Sequence, residues 1–427
     1  MKILILGATG FIGSEITRRL LADGHAVTGL SRNTAAAKRK LPSADWITAD
    51  LARMTEAKDW QELAERHDAI VNCAGALQDG LSDDLSATQE KAMLALYQAN
   101  VQAGRKLIVQ ISARTSGAAS DKPFLATKQR ADAALAASGL PSVILRPALV
   151  MGRNAHGGTA LLRALASMPC AVLLVHADSP VQTVALEDLA ALVSDAISGR
   201  IAPGSDLHLA AGSMLTLREL VLLHRQWLGL TDAKTISLPA WLAKPVSWLA
   251  DLAGELGWRS PLRSTAMAVM SEGVTTNAVH ANGFAFKTAA QTLSNNPSGV
   301  QDLWFARLFL LKPVIIVCLS IFWLLSGIIP LFDIARSASH FLPFMPEGTA
   351  TVLTVATCIA DIALGTAVLL RPYAREAMVG MLLVTFAYLA GGTLLEPALW
   401  LDPLGPLVKV LPSIALTLAA MAIFDER

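Results

Sequence analysis

This sequence predicts two architectures in succession: a doubly wound parallel α/β sheet, then an all-α bundle of four membrane spans. Three observations predict them. Apolar strand-like runs alternate with charged helical stretches through the first 300 residues, the pattern of a parallel sheet with helices on both faces. The chain opens on a strand, a glycine-rich turn and a helix, in that order. From Trp304 onward it is mostly apolar. At 427 residues there is room for two or three domains. The chain is 53% hydrophobic and 16% charged, with a mean hydropathy of +0.48, and the apolar excess lies in the last part.

The first element is a strand at 2–6, apolar from Ile3 to Leu6. It enters Gly7-Ala8-Thr9-Gly10-Phe11-Ile12-Gly13, and a helix follows at 14–23. Gly7 permits a tight turn, Gly10 lets the backbone approach a pyrophosphate, and Gly13 lets the helix pack against the strand. The helix start offers free N–H groups and a positive dipole end to phosphates. A glycine pattern alone is often just a turn. Behind a strand and ahead of a helix it makes Gly7, Thr9, Gly10, Phe11, Ile12 and Gly13 the phosphate-binding candidates of a Rossmann dinucleotide site. Further strands are expected at 26–30, 46–48, 69–72, 106–111, 142–146 and 206–210, with helices between them. From about Leu149 the pattern loosens into shorter helices at 159–166, 186–198, 217–228 and 239–256. This predicts a small substrate-side region, mostly 151–290, closing over the carboxyl edge of the sheet in a domain of residues 1–290. Asn295-Asn296-Pro297-Ser298-Gly299 marks a turn-rich linker at 291–303. The membrane part is 304–427.

Four stretches there approach the roughly 20 apolar residues that cross a bilayer: 308–329, 349–370, 377–395 and 407–424. The alternative, a helical bundle buried in a soluble domain, fits poorly with four such segments nearly free of charge. The second contains Asp361, an ionisable residue whose depth makes it costly unless it faces the bundle interior. Lys409, in the fourth, can snorkel from a helix end. Arg307 and Lys312 lie at the entrance of the first span, Arg371 and Arg375 between the second and third, and Arg427 after the fourth. The opposite loops carry Asp333, Arg336, Glu347, Glu396 and Asp402 and are poorer in Lys and Arg. An even number of spans with this bias puts both termini on the cytosolic side of an inner membrane. Residues 1–303 are then expected to be held at the bilayer only through the spans. The chain begins directly with a strand, so no cleavable signal peptide is expected. Cys73, Cys170, Cys318 and Cys358 are far apart and form no metal-ligand spacing, so neither a disulfide framework nor a metal is expected. A net charge of +1 gives nothing for nucleic acid to bind.

The end of the second strand discriminates between nicotinamide cofactors. An acidic residue there would bind the ribose hydroxyls of NAD and repel a 2′-phosphate. This chain has Ser31-Arg32-Asn33, with Lys38, Arg39 and Lys40 following. Arg32 can pair with a 2′-phosphate and stack on adenine, which favours NADP(H) over NAD(H); the bland reading is a solvated basic helix face. Asp50-Leu51 follows the third strand, where a carboxylate can reach the adenine amine. Asn72-Cys73-Ala74-Gly75 follows the fourth, and Arg146-Pro147 ends a later strand beside the expected nicotinamide.

Gly7-x-x-Gly10-x-x-Gly13, Asp50-Leu51, Asn72-x-Ala74-Gly75 and Arg146-Pro147 stand in an order that resembles the short-chain dehydrogenase/reductase superfamily. The turn spacing is that of its extended or atypical branch, with a look of the group that holds the 39-kDa-type accessory subunit of respiratory complex I. The resemblance covers about residues 1–290. The tail resembles the DoxX-like membrane family, chiefly through Trp400-Leu401-Asp402-Pro403-Leu404-Gly405-Pro406. The superfamily's catalytic motif is a Tyr and a Lys four residues apart, with a Ser about a dozen residues earlier. Here Ser112 and Lys128 match, and the Tyr position holds Phe124. The Lys lowers the Tyr pKa and binds the nicotinamide ribose, and the Tyr exchanges the proton that accompanies the hydride. Ser112 and Lys128 are therefore the catalytic candidates, Lys128 also a cofactor ligand, in a motif without its usual proton relay. Tyr97, on the helix before the fifth strand, is expected to face its packing partners.

Three functions follow. One is a membrane-anchored NAD(P)-dependent oxidoreductase, a reductase or epimerase of a lipophilic substrate such as a quinone, sterol or isoprenoid, with its proton from Ser112, water or a substrate group. Another is a non-catalytic NADP(H)-binding structural, redox-sensing or assembly protein of a membrane complex, which Phe124 favours. The third is a quinone-linked membrane bundle regulated by the N-terminal domain.

Overall fold

The structure, a computed structural model, describes residues 1–75, 84–114, 122–276, 284–403 and 405–425. Arg427, used above for orientation, and Leu404, in the motif ahead of the fourth span, lie outside the described residues. The chain divides into two compact units, residues 1–254 with 260–303, and residues 255–259 with 304–427.

In the first unit, β1 (Lys2–Leu6), β2 (Ala26–Ser31), β3 (Asp45–Thr48), β4 (Ala69–Asn72), β5 (Leu107–Ile111), β6 (Ser142–Pro147) and β7 (Asp206–Leu209) form one sheet in the order β7-β6-β5-β4-β1-β2-β3. Every pairing is parallel. Side chains alternate between faces with the period of 2 that a strand imposes. Ile3, Ile5, Val71, Val109 and Val143 face one way, onto Ile16 and Leu20 of α1 (Phe11–Ala22). Leu4, Leu6, Ile70, Ile108 and Ile144 face the other, onto a second group of helices. There α3 (Lys58–Arg66) brings Trp60, while α2 (Thr34–Lys40) closes the β2–β3 crossover. The helix α4 (Ala92–Gln102) brings Met93 and Leu96, and α5 (Pro123–Ala137) brings Leu135. Both faces are covered, which is why these strands read as continuous apolar runs.

Beyond β6, α6 (Gly158–Ala166), α7 (Leu186–Ile197), α8 (Leu217–Trp227) and α9 (Ala240–Glu255) fall within a residue or two of expectation. Three strand pairs among them were not expected: Leu149–Met151 with Thr183–Ala185, Ala171–Val175 with Lys234–Leu238, and Pro180–Val181 with Leu215–Thr216. Runs this short carry too little periodicity to be separated from loop. Then come α10 (Ser264–Glu272) and α11 (Ala289–Ser294).

Residues 291–303, expected as a linker, are docked on this unit. Trp227 Nε1 donates to Asn296 O at 2.7 Å, and Ser298 Oγ donates to Trp227 O. Asp302 accepts from Gly299 N and pairs with Arg153 at 2.5 Å and Arg163 at 3.4 Å. The turn-forming residues read as a hinge because the ion pairs that fix them are distant in sequence.

The second unit holds most of α12 (Val300–Leu331), then α13 (Ile334–Ala338), α14 (Glu347–Ala367), α15 (Ala374–Leu395) and α16 (Leu411–Ala422). Three of these, α12, α14 and α15, are long and apolar enough to cross a membrane. The fourth expected span is shorter. Its apolar helical stretch is Val408–Ala422, about 22 Å at 1.5 Å per residue, because Pro403, Pro406 and Pro412 delay regular helix. Close packing of α12 on α14 uses small residues, as in membrane bundles: Ser320 Oγ donates to Gly365 O at 2.7 Å, where an added side-chain carbon would stand 2.9 Å from Leu324 N. Asp361 is buried in the bundle and accepts from Ser326 Oγ and Tyr388 OH, both at 2.8 Å. At one end of the unit, Lys312 Nζ donates to Phe424 O at 2.9 Å and the Arg371 guanidinium lies 3.9 Å from the Phe424 ring centre. Arg375 and Asp425 are 3.8 Å apart at the same end.

Candidate functional site

The candidate site lies at the carboxyl ends of β1, β4 and β5. There the strand order reverses, since β1 pairs with β2 on one side and β4 on the other; such a switch point opens a crevice for ligands. Gly7 has φ +71°, a conformation that favours glycine, and Gly10 N donates to Gly7 O at 2.9 Å to close the turn. A side-chain carbon at Gly13 would stand 2.2 Å from Gly7 O, so α1 can start this close to the turn only with glycine there. Gly10 is the N-cap of α1 and no side chain caps this end, which leaves the first-turn N–H groups to a ligand. Helix α1 starts at Phe11, three residues earlier than expected, so Phe11, Ile12 and Gly13 form that first turn. The Phe11 ring stacks on His156 at 6.0 Å. Lys40, from the end of α2, donates to Thr9 O at 2.7 Å and brings a cation to the loop.

Around the adenosine end, Ser31 Oγ accepts from Asn33 N at 3.2 Å, and Asn33 caps α2 through Ala36 N. That turn holds Arg32 exposed just past β2. Asp50 Oδ1 accepts from Ala52 N at 3.2 Å, so this carboxylate caps the turn that carries Leu51.

Asn72, buried at the end of β4, sets the opposite wall. Its Nδ2 donates to Gln110 Oε1 at 2.9 Å, and its Oδ1 accepts from Ala74 N at 2.9 Å, which pins Cys73-Ala74-Gly75 beside the glycine turn. Desolvation pushes the Cys73 thiol up to about 12, which keeps it in its neutral form near neutral pH. Lys128 comes from α5, one turn after Phe124. Its Nζ lies 3.5 Å from where a side-chain carbon at Gly75 would stand, donates to Ile111 O at 3.3 Å, and is 5.9 Å from the Phe124 ring centre. Burial lowers the Lys128 pKa, against the opposing pull of Asp132.

Ser112 and Arg146 are drawn into a buried network that sequence reasoning missed. Ser112 Oγ donates to Asp132 Oδ2 at 2.5 Å, and Arg146 Nη1 donates to the same oxygen at 2.7 Å. Arg146 also makes a two-bond contact with Asp206, at 2.7 and 3.0 Å. The Arg146 guanidinium, expected beside the nicotinamide, is therefore engaged within the protein, and Pro147 continues β6 next to it. Burial raises the Asp132 pKa despite Ser112 and Arg146. Asp132 stands four residues after Lys128 and so on the same helical face; that spacing was the one local signal for it. Tyr97 is buried in the apolar layer beneath, as expected.

Residues 7–196 match the NAD(P)H-binding family and residues 320–418 match the DoxX-like family. The chain joins an NAD(P)H-binding domain to a DoxX-like domain. Protein Rv2047c of Mycobacterium tuberculosis is 31% identical over 222 residues, 52% of this chain and 23% of that protein. The dTDP-6-deoxy-L-talose 4-dehydrogenase (NAD(P)(+)) of Kitasatospora kifunensis is 35% identical over 119 residues, 27% of this chain and 33% of that enzyme. The chain thus spans a third or less of the length of these relatives. The UDP-glucuronic acid 4-epimerase of Bacillus cereus, solved with UDP-glucuronic acid and NAD, superposes with a TM-score of 0.51 at 16% identity. That likeness covers 72% of this chain and all of that one, and shows the fold.

The NAD(P)H-binding domain fits a dinucleotide. The glycine turn leaves room for phosphate oxygens, α1 presents uncapped N–H groups, and Lys128 and Gly75 border the crevice where β4 and β5 end. The DoxX-like domain and its apolar helices associate the protein with a membrane.

Proposed function

We propose that the protein is a membrane-anchored, NADP(H)-dependent oxidoreductase whose substrate is lipophilic and quinone-like. The observation that carries this reading is the pairing of a retained buried Lys128 with Phe124 where a proton donor is expected. When bound, the nicotinamide supplies a hydride. In this reading the glycine turn and the α1 N-terminus bind its pyrophosphate, Arg32 pairs with the 2′-phosphate, and Lys128 holds the nicotinamide ribose. Reduction of an isolated carbonyl leaves an alkoxide, which needs an acid such as the missing tyrosine. Reduction of a quinone leaves a phenolate, a far weaker base that water can protonate. The Phe124 ring, half-buried, offers a flat apolar wall to such a ring.

The orientation with the NAD(P)H-binding domain and the C-terminus cytosolic is supported by Lys312, Arg371 and Arg375 gathering with Phe424 and Asp425 at one end of the second unit. The test is NADPH oxidation by the purified full chain in detergent, with a short-chain quinone and with simple aldehydes and ketones. Quinone-dependent oxidation with inert carbonyls is expected. Carbonyl reduction as fast as quinone reduction would overturn the assignment.

A second reading rests on Ser112, whose hydroxyl is already donated to Asp132. With neither Ser112 nor Phe124 able to give up a proton, the protein would hold NADP(H) as a structural element or redox sensor of a membrane complex. Co-purified nucleotide that fails to exchange over hours, with no quinone-dependent oxidation, is the outcome that selects it.

A further inference from the structure

Helix α9 has its polarity inverted for a surface helix of a soluble domain. Its buried residues are Ser247, Ala250 and Gly254, a narrow stripe of small side chains. Its outward residues are large and apolar. Trp241 is 64% exposed, Trp248 66%, Leu249 57%, and Leu242, Val246 and Leu252 are exposed beside them. Positions 241, 248 and 252 lie on one helical line and 242, 246 and 249 on the next, so the side chains form one continuous face. Water is a poor neighbour for such a face, since contiguous exposed apolar patches mark an interaction surface.

We propose that this face of α9 lies in the interfacial layer of the bilayer, making a membrane contact of the NAD(P)H-binding domain separate from the spans. Two tryptophans on one face suit that layer, where the ring is apolar and its N–H reaches headgroups. Up to Gly254 the helix carries only Lys244 and Asp251 as charged residues, and Asp251 is paired with Arg263 at 3.2 Å. Attraction to anionic lipid therefore contributes little, and apolar burial drives the contact. The bilayer is also close along the chain: Glu255–Arg259, which follow directly, belong to the unit of the membrane helices. The proposed attachment has two points, where the sequence alone leads to an expectation of attachment through the spans only. This inference rests on membrane anchoring alone and is independent of the reaction.

The test uses the full chain with the exposed Cys170 and Cys318 replaced, Cys73 in the crevice and the buried Cys358 retained, and one cysteine introduced for an environment-sensitive fluorophore. Positions are Leu249→Cys and Leu252→Cys on the outward face, with Glu62→Cys on exposed α3 as reference. Chains are reconstituted at no more than one per phosphatidylcholine vesicle, with and without nitroxide-labelled lipid. The α9 labels are expected to emit at shorter wavelength than the reference, to be quenched several-fold more by the lipid nitroxide, and to be indifferent to salt. Trp241→Ser with Trp248→Ser is expected to reduce the quenching at Leu252→Cys while nucleotide binding persists. Labels quenched no more than the reference would overturn the proposal. So would shielding that appears only at high protein-to-lipid ratio with self-quenching, which would assign the face to a second copy of the chain.

Discussion

Replacing Phe124 by tyrosine puts a phenol where the superfamily that the sequence resembles keeps one, and the surroundings set how it should behave. Lys128 Nζ is 5.9 Å from the Phe124 ring centre. A unit charge about 6 Å from a phenolate is worth about 2.8 kcal/mol at an effective dielectric of about 20, or roughly 2 pH units. The new phenol would then titrate near pH 8 instead of about 10, well placed to give a proton at neutral pH. Phe124 is half-buried, so an added hydroxyl is less exposed to the cost of an orphaned polar group than at a core position. A positioned general acid contributes about 10² to 10⁴ in rate. Phe124→Tyr should therefore gain that factor toward simple ketones and aldehydes while quinone reduction changes little. The assay is NADPH consumption against pH, in which the variant should lose activity above about pH 8. Adding Lys128→Met should move that limb up by roughly 2 units. A variant that binds NADPH normally and gains nothing toward carbonyls would show that Phe124 is not beside the reacting carbon.

Arg32→Ala should erase a preference for NADPH over NADH of one to two orders of magnitude, the equivalent of about 1.5–3 kcal/mol for a charged two-bond contact. Equal affinity of the unmodified protein for both cofactors would refute that role. Gly13→Ala would push a methyl group to 2.2 Å from Gly7 O, so a destabilisation of about 1–3 kcal/mol is expected, with weaker nucleotide binding, read by thermal unfolding with and without NADPH. His224 is fully buried, and desolvation lowers its pKa from 6.5 to about 4. A depressed histidine pKa means that the unfolded chain takes up the proton first. Stability from this site is thus complete above about pH 6.5 and falls as pH drops toward 4, by roughly 2 kcal/mol at pH 5. Thermal midpoints at pH 8 and pH 5 should show the loss, and His224→Gln should shrink it; an unchanged pH response in the variant would assign the acid sensitivity elsewhere.

The strand–turn–helix opening was legible because each of its constraints is local. Ile3 and Ile5 alternate with Leu4 and Leu6 across two covered faces, Gly7 sits at a φ that favours glycine, and Gly13 stands where a side chain would collide with the turn. The membrane helices were legible for the same reason, up to the fourth, where three prolines between 403 and 412 decide its length more than apolar content does. What escaped were contacts made across the sheet. Arg146 on β6 meets Asp132 on α5 and Asp206 on β7, 14 and 60 residues away, and no spacing rule joins those positions. Asp302 fixing residues 291–303 through Arg153 and Arg163 is a case of the same kind.

The Asp132 network bears directly on the chemistry. In a site with a working tyrosine, a serine near the reacting oxygen adds a hydrogen bond to it. Here Ser112 Oγ is turned to Asp132, and Arg146 donates to the same carboxylate oxygen. In the proposed reading, with Phe124 in place of the phenol, a substrate oxygen next to Lys128 would meet a buried amine and few other donors among the described residues. Such a site stabilises a concentrated alkoxide charge poorly. It tolerates a delocalised phenolate, whose charge is spread over a ring and needs no acid of matched pKa. In the proposed oxidoreductase, Phe124 at the phenol position and Ser112 turned to Asp132 would therefore act in the same direction, toward substrates that take up a hydride without help from a protein acid.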